Sequence, residues 1–96
     1  MIEIRETSVF SKWLSKLRDD RARWRIQSRI DRAELGNTGD VKAVGEGVME
    51  MRIQYGPGYR IYFVQRGREL IILLAGGDKN TQRTDIETAQ QLARDL

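Results

Sequence analysis

Three cations in the second half of the chain have the types and spacing for phosphate chemistry. Arg52 and Arg60 fall at strand positions that share one face, and Lys79 follows Gly76-Gly77-Asp78 directly after an apolar run. Side chains alternate along a strand, so residues two apart point the same way. Met49, Met51 and Ile53 then oppose Val48, Glu50 and Arg52, while Ile61 and Phe63 oppose Arg60, Tyr62 and Val64. With the apolar sets assigned to the core, the remaining face carries Glu50, Arg52, Arg60 and Tyr62. Lys79 stands at its rim, and Lys42 approaches from the preceding loop. The arginine fork matches two phosphate oxygens, and such donors stabilise the extra charge of a pentacovalent transition state. A tyrosine can stack on a base. Arg60, Lys79 and Arg52 are therefore candidate catalytic residues for phosphodiester cleavage, with Lys42, Tyr62 and Arg83 as candidate RNA contacts. The same pattern also fits a solvated sheet face whose ion pairs are worth about 0–1 kcal/mol each.

Composition narrows the chemistry. The 96 residues contain no cysteine, which excludes a disulfide framework, a thiolate zinc site and a cysteine nucleophile. They contain no histidine, which removes the common nitrogen ligand for transition metals and the usual neutral-pH proton shuttle. No metal site and no cofactor is expected. The net charge is +3, mild support for an anionic partner, and Arg18, Arg21, Arg23, Arg25, Arg29 and Arg32 crowd one segment. The opening Met1-Ile2-Glu3-Ile4-Arg5 holds no secretory hydrophobic run. No apolar stretch nears the roughly 20 residues that span a bilayer. A cytoplasmic protein with no membrane partner is expected.

The elements that must position these side chains can be read from periodicity. Residues 2–7 alternate apolar and charged, as a half-buried strand does. Ser8 is placed to cap a helix whose stripe is Val9, Phe10, Trp13, Leu14 and Leu17. An aspartate at 19 or 20 caps a second helix to about Leu35, with Ala22, Ile26, Ile30 and Ala33 on one side and Gly36 as its stop. So short a link predicts an antiparallel helical hairpin. Residues 37–47 read as a polar loop. Strands follow at 48–54, 59–65 and 69–75, separated by turns at Tyr55-Gly56-Pro57-Gly58 and Arg66-Gly67-Arg68. The last strand is apolar along most of its length, hence central. Thr84-x-x-Glu87 reads as a capping box for a final helix carrying Ile86, Ala89, Leu92, Ala93 and Leu96. The predicted fold is a single α+β domain over residues 1–96, ordered β-αα-βββ-α. Its antiparallel-rich sheet has the helical hairpin packed on one face and the other face open.

Three further features allow two readings each. The arginines of the second helix form either a nucleic-acid stripe or a solvated face with Asp31 and Glu34 as partners. Trp13 lies on the apolar stripe and reads as core, whereas Trp24 lies off its helix's stripe and reads as an interface residue. Gly76-Gly77 either cradles a phosphate through backbone N–H groups or simply turns the chain. Neither a Walker nor a Rossmann glycine pattern is present.

These pieces together resemble the RelE/ParE superfamily of toxins from type II toxin–antitoxin modules, most closely its HigB-like addiction-module-killer branch. The matching segments are F-x-x-W-L-x-x-L (Phe10 to Leu17), R-I-D-R-x-E-L-G-N-x-G-D (Arg29 to Asp40), G-E-G-V-M-E-M-R-I (Gly45 to Ile53), G-P-G-Y-R-I-Y-F (Gly56 to Phe63) and L-L-A-G-G-D-K (Leu73 to Lys79). The resemblance implies a RelE-like fold, a cognate antitoxin as partner, and contact with operator DNA only through that antitoxin. In the ribonuclease branch it implies metal-independent endoribonuclease cleavage of mRNA on the ribosome. Arg60 matches a family catalytic position, Lys79 the basic residue after the last strand, and Arg52 a basic position in the strand at 48–54. Some ribonuclease members carry a tyrosine or histidine late in the chain, where this one has Thr81, Gln82 and Arg83. The resemblance thus leaves the proton-transfer group unassigned. The superfamily also includes gyrase-inhibiting toxins, and a non-catalytic antitoxin-binding, operon-repressing protein would share the same fold.

Overall fold

Residues 1–96 are described by a computed structural model. The chain opens with β1 (Glu3–Glu6) and α1 (Ser8–Lys16), followed by α2 (Asp20–Glu34). Four strands follow, β2 (Val41–Ala43), β3 (Met49–Ile53), β4 (Tyr59–Arg66) and β5 (Leu70–Gly77). A single 3-10 turn (Lys79–Thr81) then leads into α3 (Gln82–Arg94).

Local chemistry sets most of these boundaries. Thr7, not Ser8, caps α1: its Oγ1 accepts from the Phe10 N–H at 3.1 Å and donates to the Leu74 carbonyl at 2.6 Å. One hydroxyl therefore starts the helix and fastens it to β5. Asp19 caps α2 by accepting from the Arg21 and Ala22 N–H groups. Gly36, at φ +96°, takes the left-handed turn that ends α2. The expected capping box at Thr84 is displaced by six residues. Asp78 and Thr81 form the reciprocal pair instead, at the 3-10 turn, and Thr84 lies inside the helix. The earlier pair wins because Gly77 ends β5 and the chain must turn at once.

The sheet has five strands in the order β1-β5-β4-β3-β2. β2 through β5 run as antiparallel neighbours, and β1 joins β5 in parallel, with Ile4 opposite Ile71. β2 falls inside the segment expected to be loop. A run of only three residues with one half-buried side chain, Val41, is too brief to show a strand period. β5 is interior, flanked by β1 and β4, as its apolar run requires.

Two cores flank the sheet. On one face, Phe10 of α1 and Ala22, Ile26, Ile30 and Ala33 of α2 meet Met51, Ile53, Ile61, Phe63, Ile71 and Leu73. On the other, Ala89 of α3, with Ile86, Leu92 and Ala93, covers Val48, Tyr62, Val64, Ile72 and Leu74. The second face is therefore closed over much of its area, which corrects the expectation of an open one. The apolar stripe of α3 had to be buried somewhere, and Val48, Val64, Ile72 and Leu74 are its complement. No helix is long and apolar enough to cross a membrane.

Packing is close where α1 crosses β5. A Cβ added at Gly76 would lie within the van der Waals envelope of the Trp13 ring. That ring also touches Phe10 and Tyr59, with centroids 5.7 and 6.3 Å away. Gly76→Ala is expected to lower unfolding free energy by about 1–3 kcal/mol through overpacking, measured by urea denaturation. An unchanged midpoint would contradict this close approach.

Candidate functional site

The site forms where β3, β4 and β5 end together. Strand register places Arg52 opposite Arg60, and Arg60 opposite Gly77, so the two arginines are cross-strand neighbours on one face. Lys79 follows two residues after Gly77, on the exposed 3-10 turn.

Arg60 is held from two sides. Its Nη1 donates to the Gly58 carbonyl at 2.8 Å, and its Nε lies 3.5 Å from Glu50 Oε2. The side chain is only 14% exposed. Gly58 has φ +82°, and a Cβ there would sit 3.3 Å from Arg60 Nη1 and 3.6 Å from Lys79 Cβ. This glycine thus permits the turn and also lets the Arg60 head and the Lys79 stem approach each other.

Beneath Arg60 lies a buried polar network. Glu50 is 1% exposed. Its Oε2 accepts from the Tyr62 hydroxyl at 3.0 Å and from Gln82 Nε2, at the start of α3, at 2.8 Å. Burial, followed by the negative charge and hydrogen bond of Glu50, pushes the Tyr62 phenol well above its ordinary value. Tyr55 and Tyr59 are also raised, chiefly by desolvation. A group whose folded value is raised contributes stability that is complete below its unfolded pKa, about 10 for tyrosine, and is lost as pH climbs through the folded value. Alkaline titration followed by tyrosinate absorbance should therefore lag the free phenol and finish only with unfolding. Three tyrosines ionising together near pH ~10 with the fold intact would contradict the network.

Arg52 is paired outward, with Nη2 donating to Asp40 Oδ1 at 2.8 Å. That hydrogen bond is the main reason the Asp40 carboxyl sits below its usual range. Partial desolvation opposes it, and the charges of Arg52, Arg29 and Arg60 add to it. Two buried side-chain polar atoms lack a hydrogen-bond partner: Arg52 Nε and Arg60 Nε. The Arg60–Glu50 approach is an ion pair but not a hydrogen bond, so both N–H groups remain unmatched. A buried unmatched donor costs about 1–3 kcal/mol, more when charged. Both Nε atoms are closed to solvent, and each arginine keeps one outer nitrogen without a protein acceptor, Arg52 Nη1 and Arg60 Nη2.

The fold brings Arg52, Arg60 and Lys79 together, as the sequence suggested. Lys42 is exposed on β2, opposite Glu50, and Arg83 is exposed in the first turn of α3. Neither makes a hydrogen bond or ion pair with the cluster. Tyr62 does not serve as a stacking surface: it is completely buried beneath α3 with its hydroxyl on Glu50. Sequence reasoning placed Glu50 on this face only as a surface ion-pair partner of the arginines, whereas it is buried; it gave Gly58 only a turn and Gln82 no role. The apolar stripe of α3 was the available signal, since a helix docked over Glu50 must supply it with polar partners. No three His, Cys, Asp or Glu side chains cluster where they could hold a metal ion.

Two comparisons bear on this site. The chain matches the family model described as phage derived protein Gp49-like (DUF891) over residues 12–94. It is also 48% identical to an uncharacterized protein of Haemophilus influenzae over 95 residues, which covers 99% of this chain and 96% of that relative. Both matched stretches contain the segment from Asp40 to Gln82 that builds the site.

Proposed function

The chain belongs to the Gp49-like family of phage-derived proteins, and on that premise we propose that it is the toxin of a type II toxin–antitoxin module. In this reading it is a cytoplasmic, RelE/ParE-type endoribonuclease of the HigB-like branch that cuts mRNA on the ribosome. The observation that carries the reading is the pair of cross-strand neighbours Arg52 and Arg60, each with an outer guanidinium nitrogen that no protein acceptor engages, beside Lys79.

In the proposed reaction a ribose 2′-oxygen attacks the adjacent phosphorus and the P–O5′ bond breaks. The products are a 2′,3′-cyclic phosphate and a 5′-hydroxyl. Arg60 presents its fork to the non-bridging oxygens, whose charge grows in the transition state. Arg52 supports the same phosphate through Nη1 while Asp40 holds its Nη2. Lys79, on its exposed turn, draws the 2′-oxygen into line and either takes its proton or stabilises the charge left as that proton passes to water. The leaving 5′-oxygen takes a proton from water, since no histidine is available. Metal has no assigned step in this scheme.

A free cationic cluster of this kind calls for a neutralising partner. The cognate antitoxin is proposed to lay carboxylates across it, and contact with operator DNA would pass through that partner alone. Induction in growing cells tests the reading. Fragmented mRNA with arrested translation is the expected outcome. Intact mRNA with DNA breaks and an SOS response would assign the chain to gyrase inhibition instead.

A further inference from the structure

A second cationic surface lies outside this cluster. A groove of about 610 Å³ runs between α2 and the end of β3, lined by Trp24, Arg25, Arg29, Arg32, Arg52 and Asp40 among others. Its charge is unbalanced: four arginines face one aspartate, and Arg52 already engages that aspartate. Three of the four, Arg25, Arg29 and Arg52, are positioned rather than loose. Arg29 donates to the Arg52 carbonyl at 2.6 Å and to the Thr38 carbonyl at 3.0 Å, and Arg25 lies 4.8 Å above the Tyr55 ring. Tyr55 is itself anchored by donating to Asp19 Oδ2 at 3.1 Å.

Trp24 stands among these cations 69% exposed. Hollows border it on two sides, the groove itself and a smaller one with Asp20, Arg21 and Arg25. An exposed indole beside positioned guanidinium groups is the combination that binds unpaired bases and their phosphates. An acidic peptide would use the same charges, yet a tight protein partner also needs an apolar pocket for an anchoring side chain. This groove offers only Trp24 and Ile53 as apolar lining. The groove is also continuous with the Arg60 cluster through Arg52 and Asp40, since Arg52 is the strand neighbour of Arg60 and Asp40 feels the charges of Arg29, Arg52 and Arg60.

We infer that this groove is a binding track for single-stranded RNA, with Trp24 stacking on a base while Arg25 and Arg32 hold the flanking phosphates. It extends the proposed function by giving the substrate strand a second hold away from the scissile phosphate. It does not depend on cleavage.

The test uses the full chain and a 2′-O-methyl octauridine, which cannot be cut because its 2′-oxygens are blocked. Failure of binding is thereby separated from failure of the nuclease reading. Binding is expected to quench tryptophan emission. The quench should vanish in Trp24→Ala, whose remaining Trp13 is packed against Phe10. Affinity should fall about 5- to 150-fold in Trp24→Ala, the range for loss of one base stack. Arg32→Ala should weaken binding and reduce the salt slope by about 0.7 for the lost phosphate contact. Both side chains are exposed, so neither change touches a core. Unaltered binding in Trp24→Ala would overturn the inference. So would absence of binding at low salt, stronger binding of an RNA duplex, or equal competition by oligoglutamate, the last assigning the groove to an acidic protein.

Discussion

Arg60→Lys is expected to reduce mRNA cleavage about 100- to 1,000-fold, the usual loss for one charge-stabilising donor, while the chain stays folded. Lysine keeps a positive charge near Glu50, so the buried carboxylate is not stranded. What it lacks is the planar fork. Arg60 uses Nη1 to grip the Gly58 carbonyl and Nε to face Glu50, and no protein acceptor engages Nη2. An ammonium group cannot keep that grip and still present a paired donor set to phosphate. Single-turnover cleavage on programmed ribosomes, beside thermal unfolding of the same preparation, separates the two effects. Full activity in a folded Arg60→Lys chain would remove Arg60 from its assigned role.

Glu50→Ala should instead act on the fold, lowering unfolding free energy by about 3–5 kcal/mol, the range for breaking a buried charge pair. Tyr62, Gln82 and Arg60 all converge on Glu50 Oε2, and the carboxylate is sealed under α3. Removing it leaves a phenol, an amide and a guanidinium without their shared acceptor. Glu50→Gln retains an acceptor oxygen and should cost less, about 1–3 kcal/mol. Urea denaturation of the two variants provides the comparison. Equal losses, or none, would show that the network does not brace the site. The functional consequence follows from position: Glu50 sets where the Arg60 guanidinium sits, and Gln82 ties that setting to α3.

Much of this architecture was legible in the residues. Strands expected at 48–54, 59–65 and 69–75 are observed as Met49–Ile53, Tyr59–Arg66 and Leu70–Gly77. Period-two alternation and glycine turns are strong local signals, and so is the aspartate cap of α2. Pairing Arg52 with Arg60 on one face also followed from alternation alone. What escaped was tertiary. Glu50, Arg52 and Arg60 made their face look polar, yet Val48, Val64, Ile72 and Leu74 on the same face needed the α3 stripe as cover. Alternation tells which residues share a face, not what lies above it, so Tyr62 looked available when it is sealed. The caps moved for a similar reason. Thr7 outcompetes Ser8 because its hydroxyl reaches a β5 carbonyl as well, a long-range contact that no local pattern reveals.

The central claim is that this chain cuts RNA by attack of a 2′-oxygen at the Arg60 cluster. The most direct measurement uses purified chain, programmed ribosomes and an mRNA whose cleavage site has been mapped, then replaces the scissile nucleotide alone with its 2′-deoxy form. The account predicts that the unmodified message yields 2′,3′-cyclic phosphate and 5′-hydroxyl ends, and that the deoxy message survives intact at that position. Cleavage of the deoxy message at the same bond, or fragments bearing 5′-phosphates, would contradict it.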